Sequence, residues 1–427
     1  MTLQRKKTIN SSMALMTFNS PTAARRRALN IIILFGLVSL FGDIAYEGAR
    51  SVNGPYLKLL AVNAVTLGVI TGIGEFLGYT LRLLSGYVSD KTKSYWLLTI
   101  VGYGLLVSVP LLSLAGIWQI AALFIILERI GKAIRSPARD TILSQASSQV
   151  GTGFGFGLHE AMDQIGAVAG PLIFTVFFML IGKEQIGIVA YQKGYAFLWI
   201  PFLLVMFCLF VSYREVPHPA ALEAAGKKAK ILDRLSKVFW LYTLFTFVTT
   251  LGFCSFLLLA FHFKSSNILP DAQIPLYYSI AMGIDAVAAL SVGKLYDVMK
   301  TRKNNHNAGL DLLVIIPIMT LLMSLFVFSQ RHILVIIGVL CWGIVMGVHE
   351  TIMRSAIADI TSLNKRGTGY GIFNTTYGLA VFLGSVLLGF LYDRSIAFVI
   401  TAVIFVECLA LAAFFYLKQE TSKEITA

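Results

Sequence analysis

Twelve apolar runs, each about 20 residues long and therefore able to cross a hydrocarbon core of about 30 Å as a helix, recur between residues 29 and 417 of this chain. Only 13% of the residues are charged and 57% are hydrophobic, against about 25% charged in soluble domains. That leaves too little polar surface to cover a globule in water. The runs lack the alternation of barrel strands, and in lipid every backbone N–H and C=O must be paired internally, so helices are required. The sequence predicts an all-α integral membrane protein with spans 29–49, 64–86, 95–114, 117–137, 155–180, 194–213, 239–261, 273–294, 310–329, 333–354, 371–392 and 396–417.

The net charge of +13 raises nucleic acid as a partner, but the basic residues sit between apolar runs, which suits a lipid bilayer instead. With the N-terminus placed in the cytoplasm, 26 of the 35 Lys and Arg residues fall on the cytoplasmic side and 7 outside. Cytoplasmic loops carry such an excess, so both termini are expected inside a plasma membrane, the bacterial inner membrane. Arg50 and Lys58 are counted among the outside cations. The basic N-terminus, with Arg25, Arg26 and Arg27 ahead of the first run and no A-x-A cleavage site, reads as a tail and a retained helix rather than a signal peptide. Cys208, Cys254, Cys341 and Cys408 all lie in apolar runs and are read as packing residues.

The longest cytoplasmic connection, with Pro217, Pro219 and an AAGKKAK stretch, divides the chain. The expected organisation is a tail (1–28), a six-helix bundle (29–213), a linker (214–238), a second six-helix bundle (239–417) and a tail (418–427). Internal repeats agree with it. Gly86-x-x-x-Asp90 after the second run matches Gly293-x-x-x-Asp297 after the eighth, and Gly151-Thr-Gly-Phe-Gly155 matches Gly367-Thr-Gly-Tyr-Gly371. Arg135-Ser136 and Asp140 match Arg354-Ser355 and Asp359.

Three of these segments resemble the major facilitator superfamily, and the resemblance covers essentially the whole helical chain. Gly86-x-x-x-Asp90-Lys91 is similar to its motif A, with Lys93, Ser94 and Tyr95 in place of the later glycine and basic pair. Gly157, Gly166, Gly170 and Pro171 have the spacing of its antiporter motif C, with Phe174 and Thr175 where that motif closes on glycines. Glu128 to Pro137 resembles motif B. The resemblance implies two pseudo-symmetric six-helix bundles with a cavity between them, alternating access, frequent coupling to protons, and a cavity lined by helices 1, 4, 7 and 10.

Charges at membrane depth cost about 2.5 kcal/mol or more and face a partner or a wet cavity. Asp43, Glu75, Glu128 with Arg129, Asp163 and Asp285 are therefore candidate proton-coupling groups, with Asp43 and Glu128 foremost because of the helices they occupy. A structural ion pair is the alternative for Glu128 and for Glu75, and a position near the outer end is the alternative for Asp43. Glu407, on the last span, is expected to be peripheral, and His159 interfacial. For the gate, Gly86 and Asp90 are expected to act with Arg135 or Arg139, and Asp297 with Arg354 as the twin pair. In helix 5, Gly166 and Gly170 allow close helix approach and Pro171 bends the helix. Glu47, Phe253, Trp342, Asn374 and Tyr377 are candidate substrate contacts.

No metal site, cofactor site, nucleophile triad or phosphate loop is expected. Gly151-x-Gly-x-Gly155 follows no strand and so lacks the context of a nucleotide loop. The expected function is secondary transport of a small organic solute by a monomer, coupled to protons and directed to export. Proton-coupled import of a nutrient or siderophore-like solute is the alternative, and a membrane enzyme or receptor on the same scaffold a remote one.

Overall fold

The computed structural model describes residues 21–147, 149–182, 186–217, 219, 235–303, 308–361 and 366–426. The Arg5–Lys7 cluster, the AAGKKAK stretch of the linker and the Arg354 side chain lie outside the described residues. Among those residues the chain forms twelve helical segments and no strand. They are α1 (Pro21–Leu59), α2 (Ala64–Thr92), α3 (Tyr95–Leu114), α4 (Trp118–Ser147), α5 (Thr152–Ile181) and α6 (Ile188–Glu215). The second half holds α7 (Lys237–Ser265), α8 (Gln273–Lys303), α9 (Gly309–Val327), α10 (His332–Ile360), α11 (Arg366–Tyr392) and α12 (Ile396–Thr426). By length and composition, 11 of these segments can cross a bilayer. The exception is α4, whose Glu128, Arg129, Lys132 and Arg135 interrupt its apolar stretch.

Local chemistry explains both ends of α2. Asn63 caps α2, accepting from the Thr66 N–H at 2.9 Å. Lys93 closes the same helix in a left-handed conformation, its N–H donating to the Ser89 carbonyl at 2.8 Å. Three segments are irregular. Short 3-10 turns flank Pro110 in α3. Leu198, three residues ahead of Pro201, interrupts α6. In α7 the helix stops at Gly252 and restarts at Phe256, leaving Phe253, Cys254 and Ser255 outside helical pairing. Two boundaries differ from expectation by ten residues: α4 runs on from 137 to Ser147, and α1 runs past 49 through Asn53-Gly54-Pro55. Arg50 and Lys58 are thus helical residues rather than loop cations.

Leu123, Phe207 and Leu290 point outward, as lipid-facing side chains must. The two six-helix halves meet along α1 with α7, α2 with α11, and α5 with α8. At one end they are locked together. The Asp393 carboxylate, in the turn after α11, accepts from the Ala64 and Val65 N–H groups at 3.0 Å each, so a residue of one half caps a helix of the other. Directly beneath this cap, Gly68 lies against the Ser385 carbonyl and Gly389 against the Ala64 carbonyl, so a Cβ at either position would overlap backbone. Without a hydrophobic driving force between helices in lipid, such close backbone approach supplies the packing.

Because nothing at that contact is a flexible side-chain end, Gly68→Leu is expected to lower stability by about 1–3 kcal/mol through overpacking. Thermal unfolding of the purified protein in detergent measures it, with Gly104→Leu, which meets no atom within 4 Å, as the neutral control.

Candidate functional site

A cavity of about 120 Å³ lies between the halves. From α1, α2 and α4 it is lined by Tyr46, Glu47, Arg50, Glu75, Arg129 and Lys132. From α7, α10 and α11 it is lined by Phe253, Ser255, Trp342, Met346, Glu350 and Tyr377. A second, wider chamber of about 660 Å³ opens at the end carrying Gly86 and Asp90. Arg82, Lys132 and Glu350 border both chambers and so form the throat between them.

The charges of the central cavity are organised by Glu75. Its carboxylate lies 3.0 Å from Arg129 and 3.6 Å from Arg50. Arg50 also lies 3.7 Å from Glu47, one helical turn away on α1, and Glu47 accepts a hydrogen bond from the Tyr278 hydroxyl on α8. Arg129 donates to the Tyr46 hydroxyl. The Arg129 guanidinium and the Lys132 ammonium both lie over the Tyr46 ring, at 4.8 and 4.0 Å from its centroid. Glu128 points away from the cavity and meets Arg129 and Arg135 at 3.7 Å each, which is the structural ion pair given as its alternative.

The opposite wall is aromatic and depends on the interruption of α7. The non-helical stretch carries Phe253 into the cavity, where it stacks on Trp342 at 5.9 Å between centroids. The indole N–H of Trp342 donates to the Cys254 carbonyl at 3.0 Å and so fixes the break. Behind it Glu407, on α12, lines neither chamber but is fully buried, and it accepts from the Thr249 hydroxyl at 2.7 Å. His349 meets the Tyr377 hydroxyl at 3.1 Å.

The wider chamber holds Asp43 and Asp163 side by side. Their carboxyl groups come within hydrogen-bonding range of each other, and the Ser39 hydroxyl donates to Asp163. This approach follows from helix 5. Gly166 lies against the Leu40 carbonyl and the Asp43 Cβ, and Gly170 lies against the Ile44 carbonyl, so α5 can press onto α1. Gly157 meets nothing within 4 Å and Pro171 lies inside an unbroken α5. Asp43 does not sit near the sealed end, because it borders the same chamber as Asp90 and Arg139. Asp285 is fully buried on α8, and among the described residues neither of its carboxylate oxygens has a hydrogen-bond partner.

Among the described residues Asp90 makes neither of its expected gate contacts, and the expected partner of Asp297, the Arg354 side chain, lies outside the described residues. Asp90 is exposed in the last turn of α2. Arg139 pairs instead with its neighbour Asp140 at 2.8 Å, and Arg135 pairs with Glu128. In the second half Asp297 is exposed, and the ion pair there joins Lys300 to Asp359 at 2.7 Å. Of the expected substrate contacts, Glu47, Phe253, Trp342 and Tyr377 line the cavity, while Asn374 lines the wider chamber. Sequence reasoning missed Arg50, Arg82 and Lys132. The first was hidden by the turn-like Asn-Gly-Pro after it. The other two were passed over because an isolated cation on a helix does not reveal which face it occupies.

The sequence model described as Major Facilitator Superfamily matches residues 28–348 and 309–427. The chain belongs to the major facilitator superfamily. It is therefore a multi-pass membrane transporter and not an enzyme. A Mycobacterium tuberculosis protein described as uncharacterized is 38% identical over 408 residues, covering 93% of this chain and 96% of its own. An uncharacterized MFS-type transporter of Methanocaldococcus jannaschii is 26% identical over 369 residues, covering 85% and 89%. The fold is similar, at a TM-score of 0.67 and 15% identity over 93% of this chain and 98% of the other, to a bacterial homologue of the lysosomal transporter Spinster, solved inward-facing and unoccupied.

Glu75 holds two arginines, so Glu75→Gln is expected to destabilise the protein by up to about 3 kcal/mol, because buried charges lose their partner. The double variant Glu75→Gln/Arg129→Gln is expected to recover part of that loss. Chemical denaturation in mixed micelles compares the three proteins.

Proposed function

We propose that this transporter is a proton-coupled secondary carrier that exports a small organic solute from the cytoplasm of a bacterial cell by alternating access. The observation that carries it is the pair of chambers joined at a charged throat, open at one end and locked at the other by Asp393 and the Gly68 contact. The Lys and Arg distribution supports a cytoplasmic location for the open end, and moving Arg50 out of the outside count strengthens that asymmetry. The inward-facing state of the Spinster homologue is consistent with it. A solute enters through the wider chamber, passes Lys132 and Glu350, and settles against Phe253 and Trp342. Reorientation then breaks the Asp393 cap and closes the mouth, with Asp90 released from water to meet arginines of the α4 end.

Proton coupling is assigned to Asp43 and Asp163. Two carboxyl groups in hydrogen-bonding range can share one proton, and here they face water in the open state. Closing the mouth removes that water. Burying an ionised carboxylate costs several kcal/mol, so closure and proton binding are linked, and the mouth's position biases when the proton is taken or given. The spacing of Gly157, Gly166, Gly170 and Pro171 supports export. Phe174 and Thr175, in place of closing glycines, favour proton-coupled import as the second reading, and the sign of the pH gradient that drives net flux distinguishes the two.

Three outcomes are expected in proteoliposomes. Asp43→Asn and Asp163→Asn each abolish accumulation driven by a pH gradient while leaving counterflow of the same solute above half the parental rate. Pure exchange needs no net proton movement, so loss of both activities together would assign these residues a structural role instead. Asp393→Ala, which removes a cap worth about 1 kcal/mol, shifts the population toward the state open at its own end. An engineered cysteine at Val65 would then react several-fold faster with a membrane-impermeant maleimide, and an unchanged rate would remove Asp393 from the gate.

A further inference from the structure

We infer that His262 is a second proton-binding site, placed at the locked end, and that a proton taken up there loosens two contacts that hold the halves together at that end. This rests on the gate assigned above to Asp393 and adds what opens it.

The locked end has a second grip besides the Asp393 cap. Asp271, in the turn between α7 and α8, accepts from the Tyr191 hydroxyl of α6, so a carboxylate of the second half again holds a group of the first. Its other partner is Lys264, 2.7 Å away at the end of α7. Asp271 follows α7 and Asp393 follows α11, and His262 stands between these two helix ends. Its Nδ1 lies 2.9 Å from the Tyr392 hydroxyl, and Tyr392 is the residue before Asp393. One histidine–tyrosine contact thus sets the spacing of the two chain ends that carry the grips. The segment of α7 that bears His262, Phe256–Ser265, can move as a unit, because Phe253, Cys254 and Ser255 ahead of it lie outside helical pairing.

The contact suits a neutral ring. His262 is fully buried, and among the described residues its Nε2 has no hydrogen-bond partner. Phe263 of α7, Phe328 just after α9 and Tyr392 of α11 surround the ring, with Phe328 edge-on at 5.0 Å. Ser266 is the remaining polar neighbour, its hydroxyl 3.3 Å from Nδ1. The nearby charges are engaged elsewhere. Lys264 pairs with Asp271, Asp393 holds the Ala64 and Val65 N–H groups, and Lys58 of α1 lies over the ring of Phe261. Among the described residues no carboxylate lies within 4.0 Å of either ring nitrogen, and no charged group acts on the ring. The tautomer with its hydrogen on Nδ1 presents only a lone pair at Nε2. A proton added at Nε2 makes a charged N–H that faces aromatic carbon, and a charge buried without a partner is strongly unfavourable. Water reaching Nε2 removes that penalty, and its entry requires the ends of α7 and α11 to part. A proton that binds the parted state better than the packed one shifts the population toward it, and the grips of Asp271 and Asp393 are released together. With the locked end outside the cell, acid on the outer face favours the state that opens outward.

Spin-label distance measurements on the purified protein in detergent test this. The labels sit on Val65→Cys and Phe398→Cys, one in each half at the locked end, and Cys408→Ser removes the exposed thiol. The population with the labels far apart is expected to rise several-fold from about pH 8 to about pH 5, the range in which histidine changes charge. His262→Gln and His262→Phe keep the site neutral, one polar and one apolar, and either one that folds is expected to lose more than half of that rise. No rise in the parent, an undiminished rise in a folded variant, or a shifted baseline with the same pH profile would each overturn the assignment. The last two outcomes would give the response to Asp43 and Asp163, or to the other buried histidines, His159 and His349. The measurement needs no transport, so the two proposals fail separately. Acid opening that depends on His262, without counterflow in proteoliposomes, would sink the carrier assignment and leave this site standing. Counterflow with a flat distance profile would do the reverse.

Discussion

Arg129 sits on a helix that must pass through hydrocarbon, and its guanidinium cannot lose its charge there. The structure solves this with one carboxylate, Glu75, reaching from α2 to meet Arg129 at 3.0 Å and Arg50 at 3.6 Å. Much else depends on that bridge. It ties α1, α2 and α4 into one charged wall. It makes α4 tolerable in lipid although its composition disqualifies it as an apolar span. It also requires the space beside it to be a polar cavity, because charges at this depth survive only next to partners or water. The same requirement places Glu47, Lys132 and Glu350 around that space rather than among lipid tails.

The two halves treat the ends of the cavity differently, and the difference is one of backbone contact. At the locked end, glycines let α2 and α11 touch through main chain, and a carboxylate from one half caps a helix of the other. Such contacts are rigid while made and cost little side-chain entropy to reform, which suits a gate. At the open end the charged residues pair within their own half. Asp140 and Asp359 occupy equivalent places in the two halves, but Asp140 meets Arg139 of its own helix whereas Asp359 meets Lys300 of α8. The interruption of α7 adds a third element. It turns a stretch of backbone and an aromatic ring toward the cavity, braced by Trp342 in front and by Glu407 with Thr249 behind.

How much was legible beforehand varies with the kind of signal. The helices were legible because apolar length is a local property that lipid enforces. The α1 boundary was not, since Asn53-Gly54-Pro55 has turn chemistry, yet the helix continues through it under packing from α7. Glu75 was a proton-coupling candidate with an arginine ion pair as its alternative; the structure makes that ion pair, and which arginines it meets required three helices to be placed. Asp90 was expected against Arg135 or Arg139, and both arginines are engaged elsewhere, by Glu128 and Asp140. Glu407 had no sequence rationale, since its partner is a threonine 158 residues away.

What the sequence determined by itself is therefore the solvent and the element order: a succession of helical stretches, 11 of them apolar enough to cross a bilayer, separated by basic connections and repeated in two halves. Only the tertiary structure decided which charges share a cavity, which arginine each carboxylate meets, and which face of α4 turns inward. The physical reason is range. Burial in lipid is priced residue by residue along the chain, whereas an ion pair at 3 Å depends on helices hundreds of residues apart meeting at a particular rotation, which no local pattern encodes.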